Sequence, residues 1–178
     1  ENDGVLHIFY TGNVKMIGDY DYVKAGRGAN VIHVTTTDGS KMSEKQVLLR
    51  NSDYPDFCSC HVRDPKVWKE GDAWKMVLGA RTLDDEGCVL VYESDDLINW
   101  KYTGKVYKEG YGYMWECPDY FEIDGTMKQS GRTLTNQATS LFRASLRTAF
   151  SVTSPNGTWA LTSMHRRHFL TLRAGGYS

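Results

Sequence analysis

At 178 residues, with 40% hydrophobic and 24% charged side chains and a formal net charge of −1, the chain has the composition of an ordinary globular protein large enough to bury a core. That charge gives no reason to expect nucleic acid or an anionic membrane as a partner, and no apolar run approaches the length of a membrane span. The opening Glu1-Asn2-Asp3-Gly4 has neither the basic nor the apolar region of a signal peptide and no initiator Met, so the natural start is expected to lie upstream.

In chain order the expected elements are strands. Val5–Tyr10 is a short apolar run ending at Thr11-Gly12-Asn13. Asn30–Thr37 is β-branched and stops at the turn pair Asp38-Gly39. Pro65–Lys69 alternates, Glu70-Gly71-Asp72 turns, and Ala73–Leu78 follows. Cys88–Tyr92 and Pro118–Ile123 are the next strands, the last closed by Asp124-Gly125. No segment before Gly125 keeps a helical period over three turns.

Two stretches repeat. Setting Pro65 over Pro118, 53 residues apart, lays Lys66–Lys69 over Asp119–Glu122, each followed by an acidic-Gly turn. Asp3–Tyr10 likewise echoes Gly71–Leu78. About four strands per repeat of roughly fifty residues suggests β-propeller blades, although a β-sandwich gives similar spacing.

The composition changes at Gly125. Residues 1–125 hold all 22 Asp and Glu against 14 Lys and Arg, a net −8, whereas residues 126–178 hold no acid and 7 Lys and Arg. Thr126–Gly131 lacks the alternation that the repeat predicts. The tail is therefore expected to add no propeller strand and to be a basic, Ser/Thr-rich appendage, frameshifted or disordered. A short basic helix is expected over Ala138–Phe150 and a turn at Pro155-Asn156-Gly157. A nucleic-acid-binding arm would need a motif that the tail does not carry.

The cysteines at 58, 60, 88 and 117 include a Cys58-Ser59-Cys60-His61 cluster. It lacks the second ligand pair of a structural zinc site, so no metal is expected. Reduced thiols favour the cytoplasm.

Asp64 and Glu116 are the candidate catalytic carboxylates. Each lies just before the proline that opens a strand, at places taken as equivalent in the repeat, and equivalent starts of inner strands converge on a propeller's axial pocket. The two are expected to face one pocket, about 5 to 9 Å apart as in glycosidases. The neighbouring Arg63 favours an ionised Asp64, and the apolar Met114, Trp115 and Cys117 favour a buried, protonated Glu116. Proline at 65 predicts irregular backbone at Arg63-Asp64-Pro65. The bland reading of either acid is a turn residue. Trp68, Trp74 and Trp100 are expected in the core, Trp115 stands between core and sugar platform, and His7, His33 and His61 are expected as strand or loop residues.

Arg63-Asp64-Pro65-Lys66-Val67 resembles the Arg-Asp-Pro motif of glycoside hydrolase family 32, the invertases, fructanases and sucrose-6-phosphate hydrolases. Trp115-Glu116-Cys117-Pro118-Asp119 resembles that family's Glu-Cys motif, and Ser94–Trp100 its Ser-x-Asp-x-x-x-Trp element. Phe9-Tyr10-Thr11-Gly12-Asn13 is similar to its Phe-Ser-Gly-Ser element, with Tyr and Thr substituted. The resemblance covers residues 1 to about 125. It implies part of a five-bladed propeller, two to three blades here, and retaining hydrolysis of β-fructosides without a cofactor. It implies Glu116 as general acid/base, Asp64 as transition-state stabiliser, and Arg63, Tyr10, Thr11, Trp115 and Cys117 around a small carbohydrate. The family's nucleophilic aspartate lies in a Trp-x-Asn-Asp-Pro-Asn-Gly element absent from this sequence, so the chain is expected to be an inactive fragment. A non-catalytic sugar-binding propeller module is the alternative, and an inverting propeller glycosidase a third reading.

Overall fold

The computed structural model describes residues 1–123, 126–134, 139–145, 151–154 and 157–159. They form twelve strands and a single 3-10 turn at Asn51–Asp53, and all pairing is antiparallel. The first sheet is β1 (Leu6–Lys15), β2 (Arg27–Thr36) and β3 (Gln46–Leu49). The second runs outward from β4 (Cys58–Glu70) through β5 (Ala73–Thr82) and β6 (Gly87–Ser94) to β7 (Lys101–Tyr107). The third is β8 (Met114–Ile123), β9 (Thr126–Leu134) and β10 (Thr139–Ser145). Each sheet is an up-and-down meander, and the three are successive blades of a partial β-propeller.

The middle blade shows why the strands read as apolar runs. Successive residues of a strand point to opposite faces. Met76, Leu78 and Ala80 of β5, with Cys88, Leu90 and Tyr92 of β6, face the first sheet and pack with Val31, Leu49 and Val62. Val77 and Val89 face the other way and, with Val106 of β7 in the same sheet, pack onto Trp115 of the third sheet. A blade buried on both faces has no polar face, so alternation disappears. The expected core tryptophans Trp68 and Trp100 pack against these two clusters. Ser94–Trp100 is a structural turn. Asp96 accepts from the Ile98 and Asn99 amides, and Trp100 Nε1 donates to the Leu97 carbonyl.

Two expectations about the tail are corrected. Strand structure does not stop at Gly125, because β9 pairs along β8 from Ile123↔Thr126 to Met114↔Leu134, and β10 pairs along β9. The helix expected over Ala138–Phe150 is replaced by β10 at Thr139–Ser145. A ladder is made by backbone groups, so the unpaired edge of β8 templates a strand that lacks both acids and alternation. Beyond it, β11 (Ser151–Ser154) and β12 (Gly157–Trp159) join the outer edge of β7. Asp124-Gly125 and Pro155-Asn156 lie outside the described residues. β1 also runs past its expected stop, because pairing with β2 extends to Lys15↔Arg27. Among the described residues no helix is long and apolar enough to cross a membrane.

Candidate active site

Pro65 falls in mid-strand, where it has no amide hydrogen for the ladder. The backbone bulges there. Arg63 faces Gly79 and Lys66 faces Val77, leaving Asp64 and Pro65 opposite one residue of β5. Asp64 adopts the left-handed conformation, φ 61°, which aspartate tolerates better than most residues. The irregular backbone expected from the proline is thus present.

β8 repeats the device at Pro118. Glu116 faces Arg132, Asp119 faces Ser130, and Cys117 takes φ 47°. The two bulges keep Pro65 over Pro118 and correct, by one residue, the expectation that Asp64 and Glu116 are equivalent. Asp64 is equivalent to Cys117, and Arg63 to Glu116.

That offset brings the groups together. The Cys117 amide donates to Asp64 Oδ2 at 2.9 Å, which fixes the Asp64 carboxylate against the peptide that follows Glu116. The Asp64 amide donates to Thr11 Oγ1 at 2.9 Å, so one aspartate links β1, β4 and β8. Arg63 does not serve Asp64 as expected. Its Nη1 reaches 3.7 Å from Glu116 Oε1, and its Nη2 lies 3.0 Å from His61 Nδ1. Glu116 is 8% exposed and Asp64 more open, in the order expected of a proton donor and a hydroxyl-binding carboxylate. The neighbouring rungs tie the same two strands. Lys66 Nζ is 3.1 Å from Asp119 Oδ1, and Trp68 stacks on Tyr120 with centroids 4.6 Å apart.

The remaining candidates divide. Thr11 is at the site through Asp64. Tyr10, its neighbour on a regular strand, projects to the opposite face. Cys117 contributes its amide, while Trp115 is fully buried in the core between blades, its Nε1 donating to the Tyr111 carbonyl at 2.7 Å. A ring with no exposed surface offers no platform to a sugar, so the core reading of Trp115 holds. A cavity of about 310 Å³ opens between β1 and β4–β5, lined by His7, Phe9, Pro65 and Trp74 among others, and includes neither carboxylate.

Sequence reasoning missed two residues. Gly79 lets β8 lie against β5, since a Cβ there would stand 2.3 Å from the Trp115 carbonyl oxygen and 3.2 Å from Glu116 Cα. His61, expected as a strand or loop residue, contacts Arg63. The signal available was the two-residue strand period, which puts 61 and 63 on one face.

Chemically, the pair can do two different jobs. A half-closed carboxyl beside a guanidinium can hold or release a proton at a glycosidic oxygen, and a carboxylate pinned by a backbone amide can accept hydrogen bonds from sugar hydroxyls.

The glycosyl hydrolases family 32 N-terminal domain matches residues 1–168, beyond the 125 that the motifs suggested. A sucrose-6-phosphate hydrolase of Bacillus subtilis is 36% identical over 130 residues, covering 70% of this chain and 25% of the relative. A probable sucrose-6-phosphate hydrolase of Vibrio cholerae is 49% identical over 123 residues, covering 67% and 21%. The chain therefore spans about a quarter of the length of the curated relatives it matches. Among solved structures, a Bombyx mori family 32 β-fructofuranosidase mutant in complex with sucrose aligns with a TM-score of 0.66 at 29% identity, over 82% of this chain and 32% of that one. A sucrose-6-phosphate hydrolase of Lactobacillus gasseri aligns with a TM-score of 0.62 at 25% identity, over 74% and 26%.

Proposed function

The chain belongs to glycosyl hydrolase family 32, and from that premise we propose that the whole protein hydrolyses terminal β-fructofuranosyl bonds, in sucrose, sucrose 6-phosphate or a fructan, with retention. The observation that carries the reading is the meeting of the two bulges, where Asp64 is bonded to the amide next to Glu116 and Arg63 faces Glu116. Glu116 is the general acid/base that protonates the leaving oxygen and then activates water. Asp64 binds fructose hydroxyls and strengthens those bonds as positive charge develops on the ring. Arg63, Thr11 and the Cys117 amide support this pair. The bacterial relatives' names make sucrose 6-phosphate the first substrate to try. The carboxylate that attacks the anomeric carbon is proposed to lie outside these residues, so the 178-residue chain alone is expected to release no fructose.

The test is fructose release by the full-length protein, on sucrose and on sucrose 6-phosphate, with the product anomer followed by NMR. Glu116→Gln should lower kcat by on the order of 10²- to 10⁴-fold. A Glu116→Gln variant at the wild-type rate, or a wild-type protein that binds sucrose without releasing fructose, as a sugar-binding module would, overturns the proposal.

A further inference from the structure

His61 is 8% exposed and has a polar partner on each ring nitrogen. Nε2 lies 2.8 Å from the Val23 carbonyl oxygen, and a carbonyl only accepts, so Nε2 carries the hydrogen. Nδ1 lies 3.0 Å from Arg63 Nη2, and a guanidinium only donates, so Nδ1 is the bare acceptor. Two neighbours thus select one neutral tautomer. The guanidinium that binds Nδ1 through one arm presents its other arm to Glu116 at 3.7 Å.

We infer that His61, as the neutral Nε2–H tautomer, is a positioning residue for the acid/base: it holds Arg63 in the orientation that faces Glu116, and through Val23 it ties that orientation to the β1–β2 loop. The catalytic part of this rests on the assignment of Glu116 above. Arg63 has several rotatable bonds and would otherwise sample many orientations, so an acceptor that is itself anchored at its far side restricts the guanidinium. Burial is the leading cause that holds the His61 pKa below the ordinary 6.5; the Val23 carbonyl, which accepts from Nε2–H, works against it, and the cations Arg63, Arg27 and Arg81 add to the lowering. A proton on Nδ1 would set donor against donor and charge against like charge, releasing Arg63.

The experiment separates the two nitrogens. In the full-length protein, His61→Asn keeps an acceptor near the Nδ1 position and loses the bond to Val23, whereas His61→Gln keeps an N–H near Nε2 and loses the acceptor. His61→Ala and His61→Gln should lose on the order of 10²-fold in kcat, with less change in KM, as for a misplaced catalytic group. His61→Asn should recover most of that loss and should remove the acid limb that His61 protonation gives the wild-type profile. Equal rates in all variants, or a Gln variant that outperforms Asn, overturns the inference. Thermal melts identify a variant that fails to fold. Nitrogen-15 NMR of the imidazole in the wild-type chain then decides independently, with protonated Nε2 and bare Nδ1 expected at pH 7. An Nδ1–H tautomer overturns the inference whatever the activity. A wild-type protein without fructosidase activity would instead sink the function, and the NMR measurement would still judge the His61–Arg63 contact.

Discussion

Asp64 combines a backbone task with a chemical one. Its left-handed φ of 61° turns the strand around Pro65, its amide binds Thr11 and its carboxylate takes the Cys117 amide. Asparagine can keep the conformation and an acceptor oxygen, so Asp64→Asn should unfold within about 0.5 kcal/mol of wild type while the full-length protein loses activity. Asp64→Ala removes the acceptor and is strained at this φ, and should cost about 2 to 4 kcal/mol in urea denaturation. Equal stability of the two variants would mean that the bond to Cys117 is idle. A different residue wastes free energy. The Tyr92 hydroxyl is buried without a partner among the described residues, at 1% exposure, and burial raises its pKa. Tyr92→Phe keeps the ring and removes the desolvated hydroxyl, so it should stabilise the chain by roughly 1 kcal/mol in the same assay. The residue types at the site were legible in the sequence because both motifs span five consecutive positions. The partner of Arg63 was not, since adjacency to Asp64 suggested the wrong carboxylate.

At the scale of elements, the site exists because β8 presses against β5. Gly79 is the contact. Its backbone needs no special conformation, and the requirement is purely one of space against the Trp115 carbonyl and Glu116 Cα. Backbone atoms cannot rotate away as a side-chain tip can. Gly79→Ala should therefore push β8 outward, destabilise by about 1 to 3 kcal/mol, and disturb Glu116 despite adding one methyl group. Unchanged stability with unchanged activity would show that the interface is softer than its geometry implies. The tail belongs to this scale too. Thr126–Leu134 carries no strand pattern, yet it pairs with β8, because an unpaired edge supplies what local propensity does not.

At the scale of the molecule, histidines set the response to mild acid. His7, His33 and His61 have pKa values lowered from 6.5, with burial the leading cause in each. His7 and His33 stack at 5.1 Å and share a nitrogen-to-nitrogen contact of 3.0 Å, which requires at least one bare nitrogen. All three favour the neutral form in the native state. Below pH 6.5 the unfolded chain takes up protons that the native chain resists, so stability is full above about pH 7 and declines as pH falls toward 5. The carboxylates whose pKa values are lowered, such as Glu93 beside Lys75, act only at lower pH. Urea midpoints measured from pH 8 to pH 5 should fall continuously, and a flat profile down to pH 5 would refute the assignment.

The sequence by itself determined six of the eight strands up to Ile123, without Gln46–Leu49 and Lys101–Tyr107, together with the acidic-Gly turns, the irregular backbone at Pro65 and the candidate carboxylates. Each is a local property: side-chain periodicity, a missing amide hydrogen, a short motif. The tertiary structure decided the rest. Only packing shows that Arg63 faces Glu116, that Trp115 is core, that Tyr10 faces away and that His61 contacts Arg63. Those outcomes depend on contacts between residues up to 53 positions apart, made where neighbouring blades meet. A bulge moves register by a single residue, and with a period of two that one step decides which side chain enters the site.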